Sequence, residues 1–464
     1  MSLAGRSLVS INDVSNGEVE GILSLANKMR DSKGSKLDLC QGKILASLFF
    51  EPSTRTRLSF EAAMQRLGGS VIGAVDTKTT SLSKGESIAD MARVVGKYAD
   101  IIVIRHPWEG AARVAAEYAG VPVINAGDGS HEHPTQTLCD IYTIKKARGK
   151  IKGLTIALCG DLKYGRTTHS LAYMLARFGA TIVFYSSPGL GPPEYVLRKL
   201  TTEYNGVLRR PTGRNLSSVA LALGGSGKAS ATLDAIYVTP GTSHDLALIP
   251  DLRAEVDLKG VDALYMTRLQ QERFSDAQGD TRKAYPVVDK GVLKRKELKR
   301  ALVLHPLPRL DEIACEIDAD PRSMYFEQAA HGVAVRMALI ALLLGMQQAE
   351  APAERTLPEV VTQPEIYRSD LGSRCENPAC VSVHEARYIA PEFVVCGNKP
   401  LTLRCVYCDY EKQPNYVGNL KSRIYYACQD IRAGQIKVSN SVFFDSEEKA
   451  QERGFRPSAK AQQR

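Results

Sequence analysis

Short apolar runs that alternate with helical patterns from residue 44 onward restrict this chain to an α/β fold built on parallel sheets. The runs are Ile44–Phe50, Ile101–Ile104, Val121–Ile124, Thr155–Cys159, Ala263–Met266 and Ala301–Leu304. Ahead of them, Val19, Ile22, Leu23 and Ala26 share one face of an amphipathic helix over residues 18–30. The residues immediately beyond the runs are chemically alike. Ser53-Thr54-Arg55-Thr56-Arg57 succeeds the first, Arg105-His106-Pro107 the second, and His133-Pro134-Thr135-Gln136 comes shortly after the third. Arg166 succeeds the fourth, Arg268-Leu269-Gln270 the fifth and His305-Pro306-Leu307-Pro308-Arg309 the sixth. Open parallel sheets bind ligands beyond the carboxyl ends of their strands. Any one of these cations could be a solvated loop residue; six strand ends together describe one anion-lined cleft.

At 464 residues the chain is long enough for two or three domains. Its net charge of +9 suits anionic substrates and equally suits nucleic acid, so charge alone excludes neither. The first 30 residues carry no secretory pattern, and the apolar run Met337 to Met346 is too short to cross a bilayer. Of ten cysteines, four are isolated before residue 350 and six fall after it. Short spacings without a signal peptide favour metal over disulfides. A cytoplasmic location is expected, with no membrane partner.

The segment LASLFFEPSTRTRLSFEAAMQRLGG is the most specific in the chain. Ser53 is placed to cap a helix that stops at Gly68-Gly69, so the first turn aims backbone N–H groups, hydroxyls and Arg55 at one spot. That is a phosphate site by geometry, although a capped surface helix reads the same way in isolation. Together with Arg105-His106-Pro107 and His133-Pro134-Thr135-Gln136, in this order, the segment resembles the signatures of the aspartate and ornithine carbamoyltransferases. The resemblance covers roughly residues 1–345 apart from a stretch near 205–258. It implies that Ser53, Thr54, Arg55 and Thr56 hold the phosphate of carbamoyl phosphate. Thr56, Arg105 and His133 then converge on the carbonyl oxygen, and Gln136 meets the carbamoyl nitrogen. Negative charge builds on that oxygen as an amine attacks, and preorganised donors supply the rate, so no catalytic cofactor is expected. Ser81 and Lys84 resemble a loop that in this family reaches a neighbouring subunit's site, which implies a homo-oligomer, a trimer with shared active sites; Ser83 is an alternative to Ser81.

Ornithine and aspartate differ in side-chain charge, so the second half of the cleft discriminates between them. Arg166, Arg268 and Gln270 suit a dicarboxylate. Where ornithine enzymes carry His-Cys-Leu-Pro, this chain has His305-Pro306-Leu307-Pro308. The resemblance therefore implies L-aspartate, with the Leu307 carbonyl orienting its amine and Leu307–Pro308 as a cis peptide. A carbamoyltransferase for another amino acid, and a nucleic-acid-binding zinc protein on an inactive scaffold, are the competing readings.

Cys375-x4-Cys380, then 24 residues, then Cys405-x2-Cys408 gives four thiolates at zinc-ribbon spacing. A full tetrahedral set without a nearby catalytic histidine describes one closed structural zinc per chain, with Cys396 and Cys428 as the competing ligands. The module resembles the zinc domain of the aspartate carbamoyltransferase regulatory chain. The nucleotide-binding domain that precedes it in that family does not fit into residues 346–374. The expected architecture is two doubly wound parallel-sheet subdomains and a small β-rich zinc-ribbon-like domain. A carbamoyl phosphate subdomain spans 1–150, completed by a helix near 328–346, and an aspartate subdomain spans 151–327 with an insertion near 205–258. A linker over 346–374, a zinc domain over 375–415 and a tail module of unknown role over 416–464 complete the chain.

Overall fold

A computed structural model of the chain describes residues 2–31, 37–75, 84–186, 189–204, 206–209, 220–223, 260–270, 285, 287–348, 366–368, 372–398 and 401–458. The six expected strands are all present, three in each of the two main sheets. The first sheet joins β1 (Ile44–Phe49), β2 (Ser70–Val75), β3 (Ile101–His106) and β4 (Val123–Asp128), all parallel, in the order β2-β1-β3-β4. Its central strands are continuous apolar runs because both faces are covered. One face packs on helices α1 (Asn16–Asp31) and α2 (Thr54–Arg66); the other meets α3 (Ile88–Val95) and α4 (Ala111–Tyr118).

Helix α5 (Pro134–Arg148) leaves the first sheet and runs beside α6 (Arg166–Arg177) of the second. The second sheet contains β5 (Thr155–Cys159), β6 (Thr181–Tyr185), β7 (Gly206–Arg209), β8 (Ala220–Leu223), β9 (Ala263–Met266) and β10 (Leu302–Leu304), in the order β10-β9-β5-β6-β8-β7. Helix α7 (Glu194–Thr202) follows β6, and the short α8 (Lys290–Leu293) precedes β10. β8 pairs antiparallel with β6 and β7, so this sheet is parallel only from β10 to β6, a departure from the all-parallel expectation. The remainder of the 205–258 insertion lies outside the described residues, as do residues 349–365 of the linker.

Helix α9 (Tyr325–Leu343) returns to the first subdomain. By length and composition it could cross a membrane, yet it packs against α1, α2 and α5 and buries residues on every face. It is a core helix.

The C-terminal part forms two four-stranded sheets. β11 (Ile366–Arg368), β12 (Glu392–Asn398), β13 (Leu401–Cys405) and β14 (Glu411–Lys412) pair antiparallel in chain order. β15 (Tyr416–Asn419), β16 (Ile424–Ala427), β17 (Ser441–Phe444) and β18 (Arg456–Pro457) form the order β17-β15-β16-β18. Both share one apolar cluster with the first sheet and α4: Leu48, Ile104 and Val114 continue into Phe393, Leu403, Val417 and Phe443. Backbone pairing reinforces the junction, since the Glu109 N–H donates to Ala379 (2.8 Å) and the Val381 N–H donates to Glu109 (2.8 Å). Trp108 stacks on His384 with ring centroids 4.1 Å apart. Gly110, at φ 84°, is needed there: a β-carbon would meet Tyr407 at 2.7 Å.

The zinc-ribbon knuckle also touches the second subdomain. Asp409 accepts from Lys199 on α7 (2.6 Å) and lies 3.3 Å from His131, two residues before His133. Arg404 pairs with Glu203, and Arg198 with Glu411 (2.9 Å).

Candidate active site

Ser53 occupies the N-cap position of α2, but its hydroxyl caps no helix N–H and is open to a ligand, contrary to the capping read from sequence. Thr54, Arg55 and Thr56 form the first turn beyond it, with Thr56 buried. At the end of β3, Arg105 donates to Glu51 (2.9 Å). His133 is the N-cap residue of α5, with Pro134 supplying the preset φ of the first helical position. Gln136 lies one turn in. Arg166 opens α6, while Arg268, Gln270 and the cis Leu307–Pro308 follow β9 and β10.

These residues line one cavity of about 560 Å³: Ser53, Thr54, Arg55, Thr56, Arg105, His133, Gln136, Arg166, Arg268, Gln270, Leu307 and Pro308. Lys84 is described and exposed, and it does not line this cavity; Ser81 lies outside the described residues.

The electrostatics of the cleft suit an anion. Partial burial, then the like charge of Arg268, lower the Arg55 pKa, so two cations face one space. Burial lowers the His133 pKa well below its usual value, and Arg105, Arg166 and Arg336 add to the effect. Its imidazole is therefore neutral at physiological pH and has an N–H to donate without a charge. Glu51 holds both Arg105 and Arg166, accepting from Arg166 at 2.6 and 3.0 Å. Gly127, at φ 114°, leaves room for this pair: a β-carbon would sit 3.1 Å from the Arg166 guanidinium and 3.3 Å from Arg105. His305 organises the last loop. Its Nδ1 accepts from the Leu307 N–H (2.7 Å) and its Nε2 meets Glu312 (2.8 Å), which assigns the proton to Nε2.

Sequence reasoning missed Glu51, Arg336 and Gln328, which also line the cavity. Glu51 abuts the phosphate motif and was legible as a carboxylate at a strand end. Arg336 and Gln328 sit on α9, where neither spacing nor a motif marks them; only packing brings them in.

The metal module was legible in full. The Sγ atoms of Cys375, Cys380, Cys405 and Cys408 are buried and lie within 4.8 Å of one another, with Cys375–Cys408 at 3.5 Å and Cys380–Cys405 at 3.8 Å. A tetrahedral zinc with Zn–S bonds of about 2.3 Å requires S–S separations of about 3.8 Å, so the four thiolates fit that ion. They would hold it as a closed structural site. Cys396 instead meets the Thr402 carbonyl and Glu411, away from the set. His131, Glu132 and Asp409 also cluster, but Lys199 neutralises that group as an ion-pair network.

Comparison with known proteins agrees with this geometry. Residues 6–146 match the carbamoyl-P binding domain of aspartate/ornithine carbamoyltransferase, and residues 236–343 match its Asp/Orn binding domain. The aspartate carbamoyltransferase catalytic subunit of Thermococcus kodakarensis is 47% identical over 349 residues, covering 75% of this chain and 99% of that one. The chain belongs to the aspartate carbamoyltransferase family. A Clostridium botulinum catalytic subunit of the family is 45% identical over 346 residues, 74% of this chain and 100% of the relative. Among solved structures, the catalytic subunit of M. jannaschii aspartate transcarbamoylase aligns with a TM-score of 0.58 at 40% identity, covering 74% of this chain and 100% of that one. The Trypanosoma cruzi enzyme in complex with N-(phosphonacetyl)-L-aspartic acid aligns with a TM-score of 0.59 at 36% identity, over 74% and 97% of the two chains. Residues 372–416 match the metal binding domain of the aspartate carbamoyltransferase regulatory chain, so a catalytic chain and a regulatory-chain module are fused here.

Proposed function

We propose that the cleft carries out the family's reaction with the roles the motifs imply: Ser53, Thr54, Arg55 and Thr56 take the phosphate of carbamoyl phosphate. Thr56, Arg105 and neutral His133 donate to the carbonyl oxygen as the aspartate amine attacks carbon and phosphate departs. Gln136 meets the carbamoyl nitrogen. Arg166, Arg268 and Gln270 bind the aspartate carboxylates, and the Leu307 carbonyl orients the amine. The observation that carries this reading is the convergence of the α2 N-terminus with seven cationic or imidazole side chains in one cavity of about 560 Å³. Donors that meet developing charge in a dry site account for such catalysis, each worth about 2.7–4 kcal/mol of barrier. Carbamoyl-aspartate formation by Arg55→Ala should accordingly fall about 100- to 1000-fold with the melting temperature held. Near-native turnover would remove the phosphate site.

We further propose a trimer in a reducing cytoplasm, with Lys84 delivered to a neighbour's cleft. Support comes from Lys84 standing outside its own cavity, and from exposed Leu58, Ile72, Val75, Val94 and Tyr98 on α2, β2, α3 and the turn after α3. Exposed apolar side chains gathered on the elements flanking one loop mark an interaction face.

A further inference from the structure

Asp140 is fully buried beneath the catalytic cleft and takes part in none of the roles above. Three donors converge on it from three elements. Gln136 on α5 and Gln328 on α9 donate their Nε2 to Oδ1 (2.7 and 2.6 Å), and Tyr265 on β9 donates to Oδ2 (2.9 Å). The orientation of Gln328 is independently settled. Its Oε1 accepts from the His305 backbone N–H (2.9 Å), a group that only donates, so its NH2 must face Asp140.

The same logic orients Gln136. Its side chain sits four residues before Asp140 on one helix face, the spacing at which side chains meet. A glutamine amide has one donating and one accepting end, and an ionised carboxylate only accepts. With the NH2 held by Asp140, the carbonyl oxygen is the end turned from the carboxylate, and Gln136 lines the cavity. That oxygen accepts from no described residue. A carbamoyl group differs from an acetyl group by presenting NH2 donors where acetyl presents a methyl.

We propose that Asp140 is a specificity-determining positioning residue: it holds the Gln136 amide with its oxygen toward the ligand, so that the cleft selects a carbamoyl donor over an isosteric acyl phosphate such as acetyl phosphate. The inference rests on the reading that Gln136 meets the carbamoyl nitrogen. A site built to accept a hydrogen bond rejects an analogue without the donor, because its oxygen is then left buried and unpaired. Burial pushes the Asp140 carboxyl up to about 7, against the pull of Gln328, Gln136 and Tyr265, so the carboxylate form prevails in the alkaline range.

The test compares the KM for carbamoyl phosphate with the competitive inhibition constant of acetyl phosphate, at about pH 8.5 where a carboxyl of that value is ionised. Asn in place of Asp140 can donate as well as accept, which frees Gln136 to turn over. In Asp140→Asn the KM should rise about tenfold, one hydrogen bond's worth, while the acetyl phosphate constant moves less than about threefold. Tyr265→Phe removes a donor to the same carboxylate without releasing Gln136, and should leave the ratio of the two constants native. Gln136→Ala should narrow that ratio as Asp140→Asn does. If Gln136→Ala leaves the ratio unchanged, the reading of Gln136 itself fails. If Gln136→Ala narrows it but Asp140→Asn does not, or weakens both ligands equally, the positioning role is overturned. Should Asp140→Asn fail to fold, Asp140→Ser, with room for a water, takes its place and is read the same way.

Discussion

His133 lines the cleft, and its protonation state is set by its neighbours. Burial and three arginines lower its pKa well below the ordinary 6.5. A lowered histidine pKa means that the folded state resists protonation while the unfolded chain takes a proton near 6.5. This group therefore removes stability as pH falls below about 6.5, and none above it. The imidazole resonances of His133, assigned by comparison with a His133→Gln variant, should stay those of the neutral ring from about pH 8 down to about pH 5.5. A midpoint near 6.5 would show that the cationic surroundings do not reach the ring. At this scale, the sequence pointed to the cleft-lining residues that sit in contiguous motifs, such as Ser53 to Thr56 or His133 and Gln136. Asp140 and Gln328 were invisible for a physical reason. Each is one polar residue on a helix and, apart from Gln136 on Asp140's own helix, its partners come from other elements, so the cluster exists only once α5, α9 and β9 have packed.

At the scale of elements, apolar runs located β1, β3, β4, β5, β9 and β10 because buried parallel strands are continuously hydrophobic. The edge strand β2 escaped notice: only its second and fifth residues are even half-buried, and the rest are exposed. Cysteine spacing located the metal module but gave no hint that its knuckle would grip α7 and the loop before α5. That grip bears on zinc removal. Every residue lining the cleft belongs to positions 51–336, so the chemistry should survive metal loss. Yet Asp409 lies next to Cys408 and 3.3 Å from His131, so loss of the thiolate site should loosen the loop that carries His133. Chelation should abolish amide-exchange protection in β12 and β13, leave β1 and β3 protected, and lower kcat severalfold without eliminating it. Complete loss of turnover with β1 and β3 still protected would show that the module takes part in catalysis more directly.

At the scale of the whole molecule, the proposed trimer makes a quantitative claim. If each cleft joins Arg55 of one chain with Lys84 of the next around a closed ring, the two positions fail in separable ways. Arg55→Ala trimers and Lys84→Ala trimers would each be inactive, because every site contains one defect. In a mixed ring of three, going round in one direction, there is a single junction at which an intact Arg55 meets an intact Lys84. That site is whole, one site is doubly defective and one carries a single defect. Equal mixing after dissociation makes about three quarters of the rings mixed, so about one quarter of all sites regain both residues. Activity should recover to about that fraction of native and fall towards zero as the mixture approaches either pure parent. Because exposed Leu58, Ile72, Val75, Val94 and Tyr98 border this loop, substituting Tyr98 and Val94 by Lys should block the exchange along with assembly. Hybrids verified by mass that show no recovery would mean that each chain completes its own site, and Lys84 would then need another role.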